Sequence, residues 1–196
     1  AGEETSAGIS TDIGKLIACT REMQGAIATL KESLDNSLKE IQALRLEVDQ
    51  AREEALTDGL TGLANRSRYE ADLRELPNSG YESVVCTYID VVGMHEVNEH
   101  LGHRSGDTLL CCLANAARKF FATSRVYRIG SDEFVILTPN EPPYSVWSTA
   151  DRMRAFLKEK DYVISVGIQQ TTDLRHLDEA VAKAIAGAGS QISVLL

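Results

Sequence analysis

Arg125-Val126-Tyr127-Arg128-Ile129-Gly130-Ser131-Asp132-Glu133-Phe134-Val135-Ile136-Leu137 is the stretch on which the fold turns. Residues 125–129 and 134–137 have the apolar, β-favouring character of strands, and the short Gly-Ser-Asp-Glu connection between them predicts a β-hairpin. Two acids then stand at a hairpin tip. Such tips are commonly solvated and acidic for no functional reason, so Asp132 and Glu133 acquire meaning only from what the rest of the chain brings beside them.

Upstream, Val84-Val85-Cys86-Thr87-Tyr88-Ile89 is an apolar, β-branched run that predicts a buried strand ending at Asp90. A carboxylate at a strand end, together with two at a hairpin tip, makes an oxygen-ligand set that suits Mg²⁺. Helical patterns cover residues 93–100 and 106–121, with Leu101-Gly102-His103-Arg104-Ser105 between them. Earlier, Leu60-Thr61-Gly62-Leu63-Ala64-Asn65-Arg66 reads as a turn opening a helix that runs to about Leu76, where Pro77-Asn78-Ser79-Gly80 breaks it. Downstream come a helix at 145–158, a strand at 162–168, a helix at 177–186 and a short strand at 191–195. Crossovers mixed with a hairpin predict an α/β (α+β) domain with one mixed sheet flanked by helices.

Farther out, Ile9, Ile13, Leu16, Met23, Ile27, Leu30, Leu34, Ile41, Leu44, Val48, Ala51 and Ala55 follow a heptad. Ile13, Ile27, Leu34, Ile41, Val48 and Ala55 fall at a, and Ile9, Leu16, Met23, Leu30, Leu44 and Ala51 at d. Branched residues at a with leucine at d predict a parallel two-stranded coiled coil over residues 1–56, followed by the α/β domain over 57–196. Thr20 at a and Ser37 at d interrupt the seam, and Gly25 costs about 1 kcal/mol of helix propensity relative to alanine. The other reading of the stripe is an amphipathic helix packed on a globular partner.

The chain has 196 residues, with 29 acidic against 20 basic side chains and a formal charge of −9. That balance disfavours nonspecific binding to nucleic acid or to anionic membrane, and a phosphorylated ligand would need a local metal. Cys19, Cys86, Cys111 and Cys112 lack the spacing of a zinc site and read as reduced core residues of a cytoplasmic protein. No apolar run approaches the ~18 residues of a membrane span, and no signal peptide is visible. The sequence opens without methionine and almost at once in a heptad, so a preceding sensor domain is expected.

Three separated segments resemble one family. Asp58-Gly59-Leu60-Thr61-Gly62-Leu63-Ala64-Asn65-Arg66 is similar to the opening D-x-L-T-x-L-x-N-R of GGDEF domains. Tyr88-Ile89-Asp90 through Asn98, then Gly102-His103 and Gly106-Asp107, resemble D-x-D-x-F-K-x-I-N-D-x-x-G-H-x-x-G-D, and residues 128–134 resemble R-x-G-G-D-E-F. The resemblance implies a nucleotidyl-cyclase-like fold and a bacterial signalling enzyme, a diguanylate cyclase. Such an enzyme joins two GTP molecules into cyclic di-GMP with release of pyrophosphate, each subunit of a homodimer holding one GTP. It further implies that Asp90, the Val91 carbonyl, Asp132 and Glu133 hold Mg²⁺ (or Mn²⁺), with Asp90, Asp132 and Glu133 as the catalytic acids. Glu133 would take a second metal or the proton of the attacking hydroxyl. Asn98 and Asp107 would read guanine, while His95, Gly130 and Ser131 would face the phosphates.

The chain also departs from the family pattern. Ser131 stands where the second glycine is usual, crowding the phosphates or forbidding a positive φ angle. His95 replaces a lysine, Val92 replaces the second acid after Asp90, and Ile185 and Gly189 replace two cations that clamp the triphosphate. Lys183 is turned by about 200° around the helix from Ile185 at ~100° per residue. Each missing cation removes a charge-assisted hydrogen bond of ~1.5–3 kcal/mol. Phe121-Ala122-Thr123-Ser124 occupies the place of the R-x-x-D product-inhibition motif, which predicts that this site is absent. Two readings follow: a cyclase of weak or signal-dependent activity, or a catalytically inactive GTP-binding or dimerisation module. A bare dimer rod with an inert cap would leave Asn98 and Asp107 unexplained.

Overall fold

The heptad residues lie on one helix, α1, Gly2–Ala55. The computed structural model describes the backbone of residues 2–195 and the side chains of residues 14–189, so the side chains of Ile9 and Ile13 fall outside the described residues. The chain divides into two units, residues 1–52 and 53–196. In the first, the apolar stripe is open to solvent, with Leu30 69% and Ile41 47% exposed. Thr20, polar at an a position, satisfies its hydroxyl on its own helix by donating to the Leu16 carbonyl at 2.8 Å. Cys19 is exposed, which corrects its reading as a core residue, whereas Cys86 is fully buried and Cys111 and Cys112 are half-buried. No helix among the described residues is long and apolar enough to cross a membrane.

The second unit is built on four strands: β1 (Val84–Val91), β2 (Arg125–Arg128), β3 (Glu133–Pro139) and β4 (Ile164–Thr171), in the order β2-β3-β1-β4. All three ladders are antiparallel, and among the described residues parallel pairing is confined to a single bridge between Ala64 and Tyr127. Around the sheet lie α2 (Arg66–Glu75), α3 (Met94–Leu101), α4 (His103–Phe120), α5 (Pro143–Lys158) and α6 (Leu177–Leu195).

Strand alternation divides the core into two layers. Val85, Ile89, Val91, Phe134, Ile136, Ile164 and Val166 face α4 and α5, where Leu109, Leu113, Ala117, Val146, Met153 and Leu157 complete one cluster. Val84, Cys86, Tyr88, Val135 and Leu137 face the other way, onto Tyr69 and Leu76 and onto Leu177, Val181, Ala184 and Ala188 of α6. Gly167 lets α6 come down onto β4, because a Cβ there would collide with the Ala184 carbonyl and the Ala188 amide.

Several boundaries differ from expectation: β4 lies at Ile164–Thr171 rather than 162–168, and two other differences are larger. The five-residue connection before α4 shrinks to Gly102, whose φ of 81° lies in the left-handed region that glycine enters without strain, so α4 begins at His103. The strand expected at residues 191–195 is not formed. The alanine-rich helix that begins at Leu177 carries no proline and runs on to Leu195.

Candidate active site at the end of the sheet

The register of β1 decides which side chains meet. Asp90 pairs with Glu133 of β3 on one side and with Ser165 of β4 on the other. Directly opposed residues point to the same face, so Asp90, Glu133 and Ser165 share the α6 face with Tyr88, two residues earlier on β1. The hairpin tip is Ile129–Asp132 rather than the four residues 130–133, because Glu133 has joined the strand. The Ile129 amide donates to the Glu133 carbonyl at 2.9 Å, and the Val91 amide to the Asp132 carbonyl at 3.3 Å. Asp132 is thereby fastened to the end of β1, next to Asp90.

Arg128 fixes the tip from below. Its Nη1 donates to both carboxylate oxygens of Asp58 at 3.0 and 3.2 Å, and its Nη2 to the Ser131 carbonyl at 2.5 Å. Asp58 accepts at the same time from the Thr61 amide and hydroxyl, at 2.8 and 2.6 Å. Burial pushes the Asp58 carboxyl up, but the Thr61 bonds and the Arg128 guanidinium outweigh it and hold the group below its ordinary value. Asn65 closes the same corner by capping α2 through the Arg68 amide at 3.1 Å and donating to the Ala55 carbonyl at 2.8 Å.

Among the acids, electrostatics runs the other way. Burial first, and then the charges of Asp132 and Glu133, push the Asp90 carboxyl up to about 6. The hydroxyl of Ser165, buried beside it, has no hydrogen-bond partner. Asp132 accepts from the Ser131 hydroxyl at 2.6 Å, and Glu133 from the Tyr88 phenol at 2.7 Å. Among the described residues no group of three or more His, Cys, Asp and Glu side chains is drawn together closely enough to hold a metal ion. The donor chemistry nevertheless fits a hard divalent cation: Asp90, Asp132 and Glu133 offer carboxylate oxygens from one end of the sheet, and burial together with two like charges raises the proton affinity of Asp90.

Ser131 is not strained: the non-glycine residues with positive φ among those described are Asn140 and Asp161, so the feared backbone conflict does not arise. At Gly130 an added Cβ would meet the Glu133 carboxylate, which would have to swing aside.

The other expected residues fall on α3, α4 and α6. Asn98 packs onto Gly106, and its Oδ1 is buried without a partner; Asp107 is exposed on the next residue of α4. His95 points to solvent and pairs with Glu99 at 3.1 Å. Ile185 and Gly189 are exposed on α6, whereas Lys183 lines a hollow with Gln169, Thr171 and His176 around the far end of β4. Phe121 is buried in the core and Ser124 bonds Thr138 at 2.9 Å, so neither offers a charged grip. Two contacts had not been anticipated, Tyr88–Glu133 and Arg128–Asp58. The first was signalled by strand alternation, which puts Tyr88 on the face of Asp90.

The second unit is thus an antiparallel sheet covered by helices on both faces, with Asp90 and Glu133 opposed at one end. A family model described as diguanylate cyclase, GGDEF domain, matches residues 55–188, and the chain belongs to that family. Diguanylate cyclase DgcP of Pseudomonas aeruginosa is 28% identical over 140 residues, 69% of this chain and 21% of DgcP. Cyclic di-GMP phosphodiesterase PdeB of Shewanella oneidensis is 28% identical over 127 residues, 64% of this chain and 14% of PdeB. The chain thus spans a small part of these relatives. Among solved structures, the coiled coil and GGDEF domain of DgcB from Caulobacter crescentus, in complex with c-di-GMP, superposes with a TM-score of 0.69 at 23% identity, covering 84% of this chain and 92% of that one. That likeness is one of fold, and it includes the long N-terminal helix.

Proposed function

We propose that the chain is a diguanylate cyclase module, with residues 57–196 as the catalytic domain and residues 1–56 as a dimerising coiled coil. The observation that carries this reading is the placement of Asp90 and Glu133 opposite each other at one end of the sheet, with Asp132 on the adjoining hairpin tip and the Asp90 carboxyl raised by burial and then by the other two charges. Asp90, the Val91 carbonyl, Asp132 and Glu133 are the groups that would hold Mg²⁺ or Mn²⁺. When bound, the metal supplies charge neutralisation for a triphosphate.

The chain's own residues do the rest. Asn98, with an unsatisfied Oδ1 against Gly106, and Asp107 offer an acceptor amide and a carboxylate to the guanine edge. Each ribose 3′-hydroxyl attacks the α-phosphorus of the GTP on the other subunit, forming one phosphodiester and breaking one α–β phosphoanhydride as pyrophosphate leaves. Glu133 accepts the hydroxyl proton. Two such transfers close the ring, which is why a dimer is required.

Charge along α1 supports a parallel pairing. Lys31, Arg45 and Arg52 occupy e positions and Glu40, Glu47 and Glu54 occupy g positions. Two parallel, in-register helices set Glu40 against Arg45 and Glu47 against Arg52 of the second copy, whereas antiparallel helices oppose like charges. Incubation with GTP and Mg²⁺, followed by chromatography for cyclic di-GMP, tests the whole reading.

A second reading, a GTP-binding or dimerisation module without turnover, is favoured by one set of observations. Ile185 and Gly189 stand exposed where cations are expected, and His95 is engaged by Glu99. Tight GTP binding with no product at any Mg²⁺ concentration would select it.

A further inference from the structure

We propose that Tyr88 is a positioning residue for Glu133, holding its carboxylate back over the hairpin and so restraining it from joining Asp90 and Asp132 around a metal ion. The inference rests on reading those acids as the metal site, and it adds to that reading a residue outside the motif.

The geometry is specific. Tyr88 and Glu133 are diagonal neighbours, since Tyr88 pairs with Val135 and Asp90 with Glu133. The Tyr88 ring is buried between the sheet and α6, 6% exposed, so the phenol has no freedom to leave. Its O–H donates to Glu133 Oε1 at 2.7 Å. The other carboxylate oxygen lies over Gly130, in the space that a Cβ at that position would fill. One oxygen is thus held by a donor and the other is seated on bare backbone.

A plain reading of Tyr88 is that a buried tyrosine simply needs an acceptor. Had that been all, any backbone carbonyl would serve. Here the acceptor is one of three acids that must converge for metal binding, and those acids are not gathered. The neighbouring acid is restrained in the same manner, with the Ser131 hydroxyl on Asp132 at 2.6 Å. Metal entry therefore has to compete with a charge-assisted hydrogen bond before Glu133 can contribute.

The test uses the full chain without nucleotide, with Mn²⁺ as the probe and its paramagnetic resonance signal as the readout. Tyr88→Phe keeps the ring and removes the donor, and it should tighten Mn²⁺ binding by roughly tenfold. Glu133→Gln keeps an acceptor for Tyr88 but removes the charge, and in that background Tyr88→Phe should change Mn²⁺ affinity by less than roughly twofold. Unchanged affinity in Tyr88→Phe, or an equal gain in the Glu133→Gln background, overturns the proposal while leaving the metal site intact. Mn²⁺ binding that is absent from the parent, or indifferent to Asp90→Asn and Asp132→Asn, overturns the metal site and the proposal together. Should Tyr88→Phe not fold, as judged by thermal unfolding, Tyr88→Leu fills the slot without a donor and is read by the same criteria.

Discussion

Asn98 and Gly106 touch across the corner between α3 and α4, and the contact exists because residue 106 has no side chain: a Cβ there would collide with the Asn98 carboxamide and the Met94 methyl. The Asn98 oxygen is left buried and unpaired, a cost that a bound base edge would relieve. Gly106→Ala should displace Asn98 and weaken GTP binding by roughly tenfold or more, while overpacking costs about 1–3 kcal/mol of stability. Calorimetric titration beside thermal unfolding separates the two effects. Undiminished GTP affinity in a folded Gly106→Ala protein would remove Asn98 from base recognition.

Asp90 makes the metal-free domain sensitive to pH. A carboxyl raised from 3.8 to about 6 binds its proton more tightly in the folded state. Its contribution is therefore full below the unfolded value and is lost as pH rises through about 6. Asp90→Asn, which cannot ionise, should unfold about 2–4 °C higher than the parent at pH 7.5 without metal, and the two should converge near pH 4. A lower melting temperature for Asp90→Asn at pH 7.5 would show that its charge is compensated.

Among the described residues the stripe on α1 is open to solvent, and burying a Leu or Ile side chain contributes about 1.5–3 kcal/mol. Sedimentation equilibrium should give twice the monomer mass for the full chain and the monomer mass for a chain starting at Glu53. Arg45→Glu with Arg52→Glu should loosen the dimer by placing acids opposite Glu40 and Glu47, and Glu40→Arg with Glu47→Arg should restore it. A shortened chain that stays dimeric contradicts the coiled coil.

The heptad, the strands around Asp90 and the hairpin were legible because each rests on a strong local pattern: period seven, an unbroken β-branched run, a short polar turn. Less legible was what tertiary contact decides. That Gly102 alone separates two helices depends on its positive φ, and the continuation of α6 through residues 191–195 overrides the β-branched character of Ile192 and Val194. That Asp90 stands at a strand end and Asp132 at a hairpin tip could be read, but the pairing of Tyr88 with Glu133 required the register of β1 against β3. Of the two concerns over Ser131, crowding of the phosphates and a positive φ, the second does not arise, because φ there is not positive.

Grip on the triphosphate should limit activity more than recognition of the base. Ile185→Lys with Gly189→Arg should raise turnover at low GTP, each cation adding ~1.5–3 kcal/mol of charge-assisted hydrogen bonding if fully engaged. Steady-state kinetics would show this as a fall in KM. An unchanged KM would mean that α6 does not face the phosphates.

Whether Asp90, Asp132 and Glu133 form a working cyclase site is decided by incubating the full chain with GTP and Mg²⁺ and resolving the products by chromatography. Cyclic di-GMP should accumulate slowly, with pyrophosphate, and should vanish in Asp132→Ala. GTP that binds tightly yet is never converted, at high protein and Mg²⁺ and with Ile185→Lys and Gly189→Arg in place, would show that these acids do not form a cyclase site.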